Sequence, residues 1–86
     1  MDAACRRNPD IAWRTVEGHC ILIHNTLGEV MVLNEIGTYV WEHVEEGMDA
    51  VVDGIVENYE VEPETARIDV QQFIDDLMKS DLLQRG

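Results

Sequence analysis

The stretch Val30-Met31-Val32-Leu33-Asn34-Glu35-Ile36-Gly37-Thr38-Tyr39-Val40-Trp41 decides the fold. An uncharged run ends at an asparagine, and a helical pattern begins at once. The Asn34 side chain can accept from the free N–H groups of a first helical turn, so it reads as an N-cap. A strand therefore passes into a helix with no loop between them. That strand is apolar on both faces, Val30 and Val32 on one, Met31 and Leu33 on the other. A half-solvated strand alternates with polar residues instead. Some further surface must cover the second face, and a partner chain would serve.

Working outward, Asn25-Thr26-Leu27-Gly28 supplies a hairpin turn before this strand, which is read as Glu29 to Leu33. His19 to His24, with a β-prone Cys-Ile-Leu-Ile center, reads as the strand before it. Glu17-Gly18 breaks the chain ahead of that, and Ile11 to Glu17 reads as a first strand. The three strands form an antiparallel meander whose first and third members are edges. Residues 1–10 read as an irregular, flexible tail closed by Asn8-Pro9-Asp10, and residues 11–86 as a single domain. Three helices follow. Ile36, Val40 and Val44 form the stripe of the first, which stops at Glu46-Gly47. The second runs from Asp49 to Tyr59 with Val52, Ile55, Val56 and Tyr59 inward. Pro63 starts the third, whose core stripe is Ala66, Val70, Phe73 and Leu77, with Leu82 and Leu83 packing back. The fold class is α+β, a three-stranded antiparallel meander followed by three helices in a winged-helix-like unit.

Eighty-six residues give a thin core and no room for a large enclosed cofactor. No apolar run approaches the ~20 residues that a membrane span needs, and no signal peptide is visible. A cytoplasmic location is the expectation. Between Arg14 and Arg67 there is no lysine or arginine, while twelve Asp or Glu occur there. This window holds the whole formal charge of −12. Such a surface repels nucleic acid and anionic lipid, which bind through Lys and Arg. It suits a solvated face or a basic partner.

Catalytic and metal chemistry find little support. His19 and Cys20 point to opposite faces of a strand, and Cys20 and His24 lie roughly 13 Å apart along it at ~3.3 Å per residue. One ion cannot bridge that gap. His43 could join only through tertiary structure. Cys5 and Cys20 lie in no nucleophile motif, and the glycines form no phosphate loop. The expectation is no catalytic residue, no metal and no cofactor. A winged-helix regulator binding DNA is the alternative function. Its third helix would carry Glu64, Arg67, Asp69, Asp75, Asp76, Lys79 and Asp81, a poor match to phosphate.

What remains is the open edge of the third strand, guarded only by Glu29. An uncovered edge invites another strand, and pairing with a foreign segment would satisfy it. The third helix has a second stripe, Arg67, Gln71, Ile74 and Met78, suited to a groove wall. A wider core face is the competing reading of Ile74 and Met78. A homodimer paired through the same edge is another use of the strand.

The chain resembles the PqqD-like family, named for coenzyme PQQ synthesis protein D and also called RiPP recognition elements. Arg7-Asn8-Pro9-Asp10 with Trp13-Arg14, then Glu17-Gly18, Val32-Leu33-Asn34 and Trp41 carry the resemblance. Asp69-Val70-x-x-Phe73-x-x-x-Leu77 and Asp81-Leu82-Leu83 complete it. It implies a noncatalytic adaptor that binds the leader of a ribosomally made precursor peptide and presents it to a modifying enzyme, often a radical SAM enzyme. By position it assigns peptide binding to Glu29, Val30, Met31, Val32 and Leu33 on the strand and to Arg67, Gln71, Ile74 and Met78 on the helix. Leu33, Trp41, Val70, Phe73 and Leu77 would be structural. Two departures stand out. The turn Asn25–Gly28 differs from the Tyr-Pro-Glu-Gly of PQQ-pathway members, and Asp81 replaces a glycine common in relatives.

Overall fold

In a computed structural model, residues 5–85 are described. The meander is present as β2 (Ile11–Val16), β3 (His19–His24) and β4 (Val30–Val32), in spatial order β2-β3-β4, antiparallel throughout. Glu17 and Gly18 both take positive φ, 51° and 83°, the twist that a two-residue hairpin between right-handed strands requires. Backbone bonds from His24 N–H to Glu29 O (2.9 Å) and Leu33 N–H to Cys20 O (2.8 Å) carry the β3–β4 ladder past the strand ends.

Helices α1 (Glu35–His43), α2 (Met48–Asn58) and α3 (Pro63–Lys79) follow, with a single 3₁₀ turn at Val44–Glu46 between the first two. Asn34 caps α1 as expected, its Oδ1 accepting from Gly37 N–H at 2.7 Å. The passage from β4 to α1 is closed by one more side chain. Cys20 N–H donates to Thr38 Oγ1 at 2.8 Å, and that hydroxyl donates to Leu33 O at 3.4 Å. Thr38, buried in α1, thus stands in for the direct bond where β4 veers away from β3.

The core lies between one face of the meander and the helices. Ile11, Cys20, Leu22 and Leu33 enter it from the strands, and Val40, Trp41, Val44, Val52, Ile55, Val70 and Leu77 from the helices. On α1 the buried stripe is Gly37, Val40, Trp41 and Val44; Ile36, placed on the stripe by spacing, is exposed. Gly37 makes room for Phe73 rather than for the indole one turn on: a Cβ there would meet Phe73 Cζ at 3.1 Å. In α2, a Cβ on Gly54 would overlap the Tyr39 phenol, so a residue that weakens the helix is required by close packing. The outer face of the sheet carries Val16, Ile23, Val30 and Val32, all exposed, and no other described element covers it.

The expected N-terminal tail is corrected over part of its length. Cys5–Arg7 form β1, which pairs antiparallel with β5 (Leu83–Arg85) in a second, two-stranded sheet; residues 1–4 lie outside the described residues. Contacts from Arg7 and Asn8 tie this segment down. Arg7 donates from Nη1 to the Trp41 and Glu42 carbonyls at the end of α1, at 2.8 and 3.3 Å, and lies over the Trp13 ring. Its N–H donates to Glu45. Asn8 is buried, donating from its backbone to Leu82 O (3.0 Å) and from Nδ2 to Asp81 O (2.7 Å). The chain ends are thereby joined by polar groups that carry no periodic hydrophobic signal.

Candidate functional site: the free edge of β4

In an antiparallel ladder, residues that exchange backbone bonds alternate with residues that do not. Glu29 and Leu33 bond inward to β3. Met31, two residues from each, shares their phase and pairs with Leu22. Val30 and Val32 therefore turn their N–H and C=O groups away from β3, toward the open edge. Four backbone groups stand ready for another strand. Their side chains point to the outer sheet face, about 62–63% exposed. Met31 and Leu33 point to the helix side. Leu33 is buried and its N–H is already used, so it supports the edge from within.

On the helix side the edge borders a cleft. Val30, Met31 and Glu29 form one wall; Ser80 and Leu82, at the end of α3, form the other; Leu22 and His24 of β3 line its base. Phe73 flanks the other end of the edge, its ring tip beside Gly37. Asp69, Phe73, Asp76 and Ser80 succeed each other at intervals of three and four, so they share one side of α3. This is the side turned to β4, and it is acidic.

The second stripe of α3 lies elsewhere. Arg67 donates to Asp49 of α2 at 2.8 Å in an exposed pair. Gln71 donates to Asp75 (2.9 Å). Ile74 is buried and Met78 packs against the core. Gln71, Ile74 and Met78 line a separate groove with Cys5, Met48 and Arg85, bordering α2 and the β1–β5 ribbon. The nine residues assigned by position thus divide into two surfaces. Glu29, Val30, Met31, Val32 and Leu33 are together on β4; Arg67, Gln71, Ile74 and Met78 are on the opposite flank of α3. Periodicity marks a stripe beside the core but does not say which neighbor that stripe meets. His24 and Leu82, weighed from the sequence only as a metal-ligand candidate and as a packing residue, line the cleft together with Ser80, and none of the three was assigned to peptide binding. The inward phase of His24, shared with Cys20 and Leu22, was the signal available.

The thiols sit in unreactive settings. Cys20 is fully buried and Cys5 half-buried, and burial pushes both thiols up from their ordinary pKa. Among the described residues, no helix is long and apolar enough to cross a membrane.

Comparison with known proteins agrees with this architecture. The family model for coenzyme PQQ synthesis protein D (PqqD) matches residues 19–83. A structure described as TbiB1 in complex with the TbiA(beta) leader peptide superimposes with a TM-score of 0.84 at 24% identity, covering 91% of this chain and 93% of that one. A lasso peptide synthetase B1 complexed with the leader peptide gives 0.85 at 20% identity, covering 94% and 98%. No curated protein matches. With a model matched from the central strand of the meander to the closing strand of the fold, this chain belongs to the PqqD family.

Proposed function

We propose that this protein is a noncatalytic adaptor that takes the leader of a ribosomally made precursor peptide as a fourth strand on β4 and presents it to a modifying enzyme. A radical SAM enzyme is the class of partner that the family favors. The observation that carries this reading is the unpaired edge of Val30 and Val32 beside a cleft. Both structural neighbors named above are described as bound to leader peptides, which supports the same reading. The edge offers four backbone bonds at about 0.5–1.5 kcal/mol net each. Together with one or two filled pockets, these offset the ordering of a peptide and give micromolar affinity, about −8 kcal/mol. The acidic flank of α3 and the absence of Lys and Arg between residues 14 and 67 disfavor the DNA-binding alternative.

The test is an amide-resolved titration with the leader segment of the precursor encoded beside this gene. Val30 and Val32 shift most, followed by Phe73 and Ser80. Shifts centered on Gln71, Met78 and Cys5 would move the site to the other groove and overturn the reading. Concentration-dependent broadening of β4 without peptide would instead identify self-pairing.

A further inference from the structure

Helix α3 runs alongside β4 in the opposite direction. Phe73 lies at the Gly37 end of the free edge, and Ser80 borders the cleft at the Glu29 and Val30 end. Seven helical residues advance about 10.5 Å, and three to four strand residues cover about the same length at ~3.3 Å each. Helix and edge are therefore matched in length. The groove between them is apolar below, from Leu82 and Met31 to Phe73. Its rim is acidic. Asp69 and Asp76, both exposed, sit one turn to either side of Phe73 on the side of α3 turned to β4, and Glu29 stands on the strand wall near Ser80. Among the described residues, none of these three carboxylates forms an ion pair. Lys79, the one lysine of the chain, borders the solvent-facing side of Asp76 and does not pair with it.

This layout restricts what fills the groove. A docked strand turns every second side chain toward α3, in the row of Met31. Apolar side chains alone would cover the base and strip water from the rim carboxylates without supplying a counter-charge. Lysine or arginine does both, its methylene stem lying along the apolar base and its charged head reaching the rim. Asp69 and Asp76 are about 10.5 Å apart along α3. That lies between the ~6.6 Å separating inward residues two apart on a strand and the ~13 Å of residues four apart. The long stems take up the difference. An acidic peptide, or a second copy of this chain with its formal charge of −12, would set carboxylate against carboxylate.

We propose that the β4 groove selects a cationic strand, with lysine or arginine at helix-facing positions two or four residues apart, and that Asp69 and Asp76 are the residues that read them. The open edge and the cleft define the site; the carboxylates decide the charge of what fills it. This rests on strand docking at β4 and adds the charge class of the segment that docks.

The test is selection from a displayed library of random twelve-residue peptides on three proteins: the wild type, Asp69→Asn/Asp76→Asn, and Asp53→Asn/Glu57→Gln. The last pair is exposed on α2, which packs on α1 and α3, and it changes the net charge equally. It thus controls for the general attraction of an acidic protein for cations. The wild type and the α2 variant enrich lysine or arginine at alternate positions, and the α3 variant does not. For the best wild-type binder at about 50 mM salt, the α3 substitutions weaken binding about threefold to tenfold and the α2 pair less than about twofold. Raising the salt to about 0.5 M narrows the difference. Selected peptides without alternate basic residues, or an equal loss in both double variants, overturn the assignment to Asp69 and Asp76 while docking stands. Peptides that leave the Val30 and Val32 amides unmoved overturn docking itself, and this assignment with it. Should the α3 double variant not fold, each single variant is read alone, with an expected loss of about twofold to threefold.

Discussion

Replacing Val32 by proline tests the phase of the β4 edge. Proline has no N–H, and it is tolerated on an edge strand only where that N–H faces away from the sheet. At Val32 the ladder places the N–H outward, so the change removes no bond within the domain. At Met31 the N–H faces Leu22, and proline there leaves a carbonyl inside the sheet without its donor. The lost strand propensity is similar at the two sites, so it largely cancels between them. The remaining difference is the broken ladder bond, about 1–3 kcal/mol. Met31→Pro also gives up a partly buried side chain, which adds to its loss. In urea unfolding followed by the fluorescence of buried Trp41, Val32→Pro remains within about 1 kcal/mol of wild type. Met31→Pro falls below Val32→Pro by at least about 1–3 kcal/mol. Peptide binding shows the complementary pattern. Val32→Pro loses one intermolecular bond, worth about 0.5–1.5 kcal/mol, or roughly twofold to twelvefold in Kd. Equal destabilization by the two prolines would refute the assigned phase. Unchanged affinity in Val32→Pro would refute the edge as the docking line.

Thr38→Val is nearly isosteric and leaves the Cys20 N–H buried without an acceptor; a loss of about 1–3 kcal/mol in the same unfolding assay is expected, and a neutral result would show that Thr38 Oγ1 does not splice the sheet to α1. Asp81 holds φ at 62° just after α3, the conformation that favors glycine, so Asp81→Gly stabilizes by about 0.5–1 kcal/mol; a loss in thermal unfolding would contradict this. Burial raises both thiol pKa values, so at neutral pH both react slowly with a disulfide reagent, Cys5 before Cys20, and Cys20 reacts only on unfolding; fast labeling of Cys20 in the native state would contradict its enclosure.

What the sequence made legible is what repeats locally. The β-prone run Cys20–Ile23 placed β3, helical spacing placed α2 and α3, and Asn34 marked the strand-to-helix passage. The β1–β5 ribbon escaped because its strands have three residues each, are largely polar, and meet only after the whole chain has folded, Cys5 opposite Arg85. Ile36 lies on a plausible stripe, yet α1 is rotated so that Gly37 and Trp41 face inward. The free edge of the candidate site was readable because strand order follows from short turns. Which side of α3 borders that edge was not, because Arg67 and Asp69 flank the same core stripe on opposite sides, and only tertiary packing decides which side meets β4.

The Thr38 hydroxyl has a consequence for fidelity. Sliding β4 by one residue would exchange the groups it offers: Met31 would present its amide outward, and the valines would turn toward the core. A three-residue strand has little of its own to resist such slippage. Anchored through Thr38 to a helix whose first turn is fixed by Asn34, the strand is locked in phase from its far end. The pattern of donors and acceptors offered to an incoming chain is therefore set by a helix that the incoming chain need not touch.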